Sequence, residues 1–272
     1  MVRSLWTAAS GMVAQQTNVD VISNNLANVN TIGYKTEAAE FKTLLYQNLQ
    51  TNTTSANGQS KPIGAQVGLG SRNSAIMSMF QQGSLTATSN NMGFAIEGDG
   101  LFAVRGEDGN TYYTRNGNFV LSRGANGGLA LSTTDGLPVL NSRGTPITFN
   151  TNYVASKISV TSDGTFCYPD ANNNPQSLGI TLGVYQFSNP EGLEKHSDSL
   201  YSATGASGVA LNEATNNNLK KSNVVQGYLE ASNVQVVDEM VNLIVAQRAY
   251  EMNSKTIQAS DDMMSTANQL KR

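Results

Sequence analysis

The sequence predicts an α+β protein in which both termini supply one discontinuous coiled-coil helical domain, with an all-β, hairpin-rich domain and an extended arm between them. Three observations lead there. Apolar residues recur at seven-residue steps near each end, the middle is rich in Gly, Asn and Thr with short strand-like runs, and residues 46–70 are too polar to order alone. The predicted boundaries are 1–34 for the N-terminal helix, 35–91 for a linker carrying the arm at 46–70, 92–227 for the β domain and 228–272 for the C-terminal helix.

In the first helix, Leu5, Met12, Val19 and Leu26 fall on one line, and Ala8, Gln15, Ile22 and Val29 on the next. Gly33 is placed to take the left-handed conformation that closes a helix. In the second helix, Val236, Leu243, Tyr250, Ile257 and Met264 repeat at seven, with Met240 beside them. Its flanking line of Ala246, Asn253, Ser260 and Ala267 is small enough for a neighbouring helix to come close. Ser232 with Gln235 reads as a capping box, Asn233 as a competing cap, and Asp238 and Glu239 put negative charge in the first turn. Glu251 and Lys255 stand in the favourable i,i+4 order. The expected assembly interface is therefore Leu5, Met12, Val19, Ile22, Leu26, Val29, Val236, Met240, Leu243, Tyr250, Ile257 and Met264. Periodicity alone fits a helix pair inside an ordinary globular core equally well.

The Tyr46 to Gly70 segment combines a Thr/Asn/Ser/Gln run over Thr51 to Ser60 with Pro62, Gly64, Gly68 and Gly70, so it reads as an extended arm. From about Met92 the pattern changes to strands with turn chemistry: Phe94 to Ile96, Gly98-Asp-Gly100, Leu101 to Val104, Asp108-Gly-Asn110, Asn116-Gly117 and Phe119 to Leu121. The alternation Leu178, Ile180, Leu182, Val184 suits one half-buried strand.

Composition excludes several functions. Charged residues are 14% of the 272-residue chain and the formal net charge is −3, so no basic field exists for nucleic acid or an anionic membrane. One cysteine, Cys167, permits no internal disulfide, and His196 is the only histidine, which leaves no usual zinc spacing. Gly98-Asp-Gly100 imitates a dinucleotide loop but leads into a strand rather than a helix N-terminus. The acidic pairs Asp238/Glu239 and Asp261/Asp262 are sequence neighbours, splayed about 100° apart on a helix, and do not face one substrate. No enzyme activity, cofactor or metal is expected. No run of eighteen apolar residues and no charged n-region with a cleavage site is present, so neither an anchor nor a cleaved signal is expected.

Specific motifs then suggest a family. Ala8-Ala-Ser-Gly-Met12 with Gln15-Gln16, and Asp20-Val-Ile-Ser-Asn-Asn-Leu-Ala-Asn-Val-Asn-Thr-Ile-Gly-Tyr-Lys35, resemble the N-terminal motif of the bacterial flagellar axial proteins, the rod and hook subunits. Ser232-Asn-Val234, Glu239, Leu243-Ile244 and Gln247-Arg-Ala-Tyr-Glu-Met-Asn-Ser-Lys255 are similar to the C-terminal one. Gly98-x-Gly100-Leu-Phe and Tyr113-Thr-Arg-Asn-Gly-Asn-Phe119 extend the likeness across the middle.

The resemblance implies a subunit that polymerises through its terminal helices into a rigid helical tube, transmits torque to the hook and forms part of the export channel. Implied partners are further copies of itself, proximal rod and hook subunits and surrounding basal-body ring proteins, with no nucleic acid and no membrane insertion. The implied location is the extracytoplasmic basal body, reached without a cleaved signal peptide. One β domain plus the 46–70 insert is nearest the distal class of rod subunits, where the insert separates a stiff rod from a bendable hook. That marks Tyr46, Leu49, Pro62, Ile63 and Val67 as anchors of a rod-stiffening arm. A proximal rod or hook subunit, or a non-flagellar coiled-coil surface adhesin, is the alternative.

Overall fold

The computed structural model describes residues 2–50, 64–124, 128–150, 153–170, 174–197, 199–216 and 218–270, so the expected arm residues Thr51 to Ser60, Pro62 and Ile63 lie outside the described residues. The protein is α+β, with one long helix near each end and many antiparallel strands between them. It divides into two compact units, one formed by the described residues of 1–27, 37–78 and 235–272, the other by those of 28–36 and 79–234.

The helical unit contains α1 (Val2–Ala27), β1 (Glu37–Thr43), β2 (Tyr46–Gln50), β3 (Ala65–Gly68), β4 (Ser71–Ser78) and α2 (Val236–Gln269). Residues 35–91 are therefore not a plain linker. β1 pairs antiparallel with β4, with a register shift between Glu40 and Phe41, and β2 pairs antiparallel with β3. Within the expected arm, β2 and β3 satisfy each other's backbone groups, which composition alone does not reveal. The β1–β4 pair packs on α1, and Gly70 (φ +118°) lies so close to the helix that a Cβ there would sit 2.0 Å from Ser10 Oγ.

Both helix ends differ from expectation. α1 stops at Ala27, and Gly33, though left-handed at φ +69°, lies six residues beyond it. Its amide donates to the Glu230 carbonyl at 2.8 Å, and a Cβ would approach the Arg115 backbone to 2.7 Å. At α2, Gln235 occupies the cap position with no side-chain cap bond, because the Asn233 amide is committed to other segments and Ser232 Oγ accepts only from Val234 N at 3.3 Å. Asp238 and Glu239 do sit in the first turn, where they complement the helix dipole. Glu251 is paired with Arg248 at 2.9 Å on an exposed face.

The β unit continues the numbering in chain order with β5 (Leu85–Ala87), β6 (Phe94–Glu97), β7 (Leu101–Arg105), β8 (Thr111–Thr114), β9 (Val120–Arg123), β10 (Leu129–Ser132), β11 (Thr148–Phe149) and β12 (Ser159–Val160). Then follow β13 (Thr165–Pro169), β14 (Pro175–Thr181), β15 (Val184–Gln186), β16 (Glu194–Lys195), β17 (Leu200–Ser202), β18 (Leu211–Asn212), β19 (Asn223–Gln226) and β20 (Tyr228–Glu230). A six-stranded sheet runs β16-β17-β8-β7-β15-β18, flanked by three-stranded sheets β11-β10-β9 and β12-β13-β14 and by the pairs β19-β6 and β20-β5. The alternating 178–184 run is split between β14 and β15 by Gly183, which donates to the Leu140 carbonyl and has no room for a Cβ.

β7 is buried on both faces, and its period of two sorts its side chains. Phe102 and Val104 enter one apolar cluster with Phe94, Phe119 and Phe166, while Leu101 and Ala103 enter another with Tyr113, Leu140 and Tyr201. Phe102 meets Phe119 edge to face at 5.2 Å, and Phe166 meets Phe149 likewise at 5.2 Å.

Tyr113 makes this core pH-sensitive. Burial pushes its phenol from 10.0 up to about 12. Above pH 10 the unfolded chain loses a proton that the folded chain keeps, so stability falls as pH rises through that window. Melting temperatures measured from pH 9 to 12 are expected to decline, and Tyr113→Phe is expected to make the decline shallower; an unchanged slope would contradict the assignment.

Candidate functional site

No metal-binding cluster organises the described residues. Two other arrangements do: a pair of long helices and a buried knot of charge. In the helical unit α1 and α2 run antiparallel, because Ser4 Oγ lies 3.2 Å from Ser260 Oγ near one end and Asn25 Nδ2 donates to Glu239 Oε2 at 3.4 Å near the other. The buried residues of α2 are small. Ala246 and Ser260 are each 1% exposed, Ala8 and Ile22 are buried on α1, and a Cβ at Gly11 would stand 2.9 Å from the Asn253 amide. Small side chains at seven-residue steps let the helix axes approach closely.

The larger apolar residues singled out in the sequence are distributed around this seam. Ile22 is buried, Leu5, Met12, Val19, Leu26, Leu243, Ile257 and Met264 are half-buried, and Val236, Met240 and Tyr250 are exposed. Val29 falls past the end of α1, half-buried in the β unit. A groove of 420 Å³ opens between the helices, lined by Gln16, Val19, Gln247, Tyr250 and Glu251. On the β2–β3 ribbon Tyr46 and Leu49 are exposed, Val67 is half-buried, and the Tyr46 ring lies over Gly68.

Sequence reasoning missed a second apolar face. Val237 (74% exposed), Val241, Ile244, Val245 and Met252 lie roughly 100–180° around α2 from Ala246 and are exposed among the described residues. On α1, Trp6 (71% exposed) and Val13 form a similar bare line. The signal was present as a 237/241/244/245 spacing, but the longer 236-to-264 heptad overshadowed it.

The charge knot lies inside the β unit. Glu230 receives Lys35 Nζ at 2.7 Å on one carboxylate oxygen and Arg115 Nε at 2.5 Å on the other, with side chains 1%, 1% and 4% exposed respectively. Gly83 N also donates to Glu230, at 2.8 Å. Two cations face one anion, and backbone oxygens absorb the excess: Lys35 donates to Gln81, and Arg115 to Ile96, Gly98 and Gly100. Burial is the main influence on Lys35 and pulls its ammonium below the usual lysine range, with Glu230 opposing it. The Gly98-Asp-Gly100 turn is thus a docking point for Arg115. It joins two sheets rather than closing a hairpin, since β6 pairs with β19 and β7 with β8.

Two asparagines complete the pattern. Asn25, buried in the helical unit, pairs its amide with the backbone of Glu37 in both directions, at 2.8 and 2.9 Å. Asn233, in the β unit, accepts from Thr36 N and Oγ1 and donates to the carbonyls of Met79 and Gln81. The other sequence candidates have local roles. His196 is exposed and bonded to Ser202 Oγ at 3.0 Å, and Cys167 is a buried free thiol in β13.

Three family descriptions match the chain: flagella basal body rod protein over residues 5–35, flagellar hook protein FlgE/F/G D1 domain over 95–168, and flagellar basal body rod FlgEFG protein C-terminal over 225–270. Each matched segment contributes one member of the knot, Lys35, Arg115 and Glu230 in turn. Over full length the chain is 41% identical to the flagellar basal-body rod protein FlgG of Borreliella burgdorferi, with all of both chains covered. It is 40% identical to that of Agrobacterium fabrum over 97% of each, and 37% identical to that of Bacillus subtilis over all of both.

Proposed function

Because the chain belongs to the flagellar basal-body rod protein family, as a structural subunit and not an enzyme, we propose that it polymerises through its terminal helices into the distal part of the rod. The observation that carries this reading is the bare apolar face of α2, from Val237 to Met252, beside a helix pair that already spends its small residues on internal packing. A face of that size on a free subunit calls for a protein partner. A head-to-tail contact that does not close on itself gives a helical polymer, with paired helices inside and β units outside. Such a tube would transmit torque to the hook and leave an axial channel for export. Its neighbours would be further copies, proximal rod and hook subunits and the basal-body rings, outside the cytoplasm. No helix among the described residues is long and apolar enough to cross a membrane.

The two lines serve different contacts in this reading. Leu243, Ile257 and Met264 of the 236-to-264 heptad, each half-buried, extend the internal seam, and the 237-to-252 face meets another subunit. The β2–β3 ribbon, with Tyr46 and Leu49 exposed, bridges subunits along the axis and stiffens the rod. Val241→Asp with Val245→Asp puts two charges on the outer face without touching Ala246. The expected result is a folded subunit whose polymerisation constant falls on the order of 10³-fold or more, read by sedimentation. Straight wild-type assemblies in the same preparations support the ribbon's role; curved ones, or normal assembly by the double variant, contradict the reading.

A further inference from the structure

We propose that Lys35, Arg115, Glu230 and Asn233 form a latch that sets the effective concentration at which α1 and α2 meet. The argument begins where the chain passes between its compact units, after Ala27, Thr36, Ser78 and Val234. Three of those passages are tied to one another inside the β unit. Asn233 Oδ1 accepts from Thr36 N at 2.8 Å and from Thr36 Oγ1 at 2.7 Å, its Nδ2 donates to Met79 O at 3.0 Å, and Met79 N donates to Thr36 O at 2.8 Å. Glu230, three residues earlier, holds Lys35 from the segment that follows α1, and its carbonyl accepts from Gly33 N. The stretch entering the helical unit at Glu37 and the stretch entering it at Gln235 therefore leave the β unit hydrogen-bonded to each other.

This matters because helices of this kind are marginal alone and the two are far apart in sequence. With the latch closed, the tether joining Glu37 to Gln235 is about five residues; with it open and the sheets still folded, the shortest path crosses from Glu37 to Ser78, runs to Ser84, crosses to Ala231 and is about thirteen. Loop closure scales as the three-halves power of length, so closing the latch raises the helix-pairing equilibrium roughly fourfold. Buried charge makes the device all-or-none, since undocking either cation leaves Glu230 or its partner unpaired in the interior.

The test is a thiol-exchange measurement on the full-length monomer. In a Cys167→Ser background, Ser4→Cys and Ser260→Cys place two thiols where hydroxyl oxygens lie 3.2 Å apart, and equilibration with glutathione reads their effective molarity. Lys35→Met combined with Asn233→Ala opens the latch while leaving Arg115 and Glu230 paired, so the sheets stay balanced; Glu230→Gln is the more severe companion. The expected result is a roughly fourfold lower effective molarity in the Lys35/Asn233 variant, with near-ultraviolet dichroism of the β unit unchanged and amides 28–36 newly open to exchange. Effective molarity equal to that of the unsubstituted parent, with those amides released, would overturn the latch. The measurement is made on monomers, so its failure leaves the assembly reading standing, and a failure of assembly leaves the latch standing.

Discussion

Glu230→Ala lowers the stability of the β unit by about 3–5 kcal/mol, because it strands two buried cations that share one carboxylate. Arg115 keeps its carbonyl partners at Ile96, Gly98 and Gly100 but loses its counter-charge, and Lys35, already depressed by burial, loses the influence that holds it up. Gly83 N is left without its acceptor. Urea titration followed by near-ultraviolet dichroism is the check, with a thermal midpoint lower by roughly 10 °C for a unit of this size. Replacing all three members by Lys35→Met, Arg115→Met and Glu230→Leu is expected to restore most of the loss, as removal of a whole buried ion cluster usually does. A loss below about 1 kcal/mol for Glu230→Ala would show that water already screens the knot.

Ala246→Leu has the second large effect, and it falls on the helices. Ala246 is 1% exposed on the small-residue seam, where extra methylenes force the two axes apart at a cost of about 1–3 kcal/mol. Leucine is a good helix former, so any loss comes from packing and not from propensity. Once parted, both helices fray, because their stability rests on each other. The expected outcome is reduced ellipticity at 222 nm and no polymer, while Ala246→Ser, which keeps the seam small, retains both. Wild-type helicity and assembly in Ala246→Leu would mean that the seam tolerates bulk and that Ala246, Asn253 and Ser260 are not what sets the spacing.

How much of this was legible beforehand follows from the range of the interactions involved. The helices and their lines were readable because a period of 3.6 is written within a dozen residues. The small flanking line was visible too, yet periodicity does not say which of two apolar faces a helix turns inward; Ala246 and Ser260 took the inner position because close axial approach is possible only there. Capping failed for a tertiary reason: Asn233 had the right residue type but spends its amide on Thr36, Met79 and Gln81. The ion knot was out of reach, since Glu230 meets Lys35 across 195 positions and Arg115 across 115. Its trace was indirect: in a chain only 14% charged, three ionised residues sit inside or beside the most distinctive motifs. The pairing of β2 with β3 within the expected extended arm was not legible, because composition reports whether a segment can bury apolar surface and says nothing of backbone pairing.

The central claim is that the bare face of α2 is where one rod subunit meets the next. Electron cryomicroscopy of isolated basal bodies tests it most directly, by placing the antiparallel α1–α2 pair in the rod density. The account expects Val237, Val241 and Val245 to be covered by a helix of a neighbouring copy, with Ala246 and Ser260 still facing α1 of their own chain. A rod in which the 237-to-252 face points into solvent, or in which α2 pairs with α1 of another copy through Ala246 instead, would contradict it.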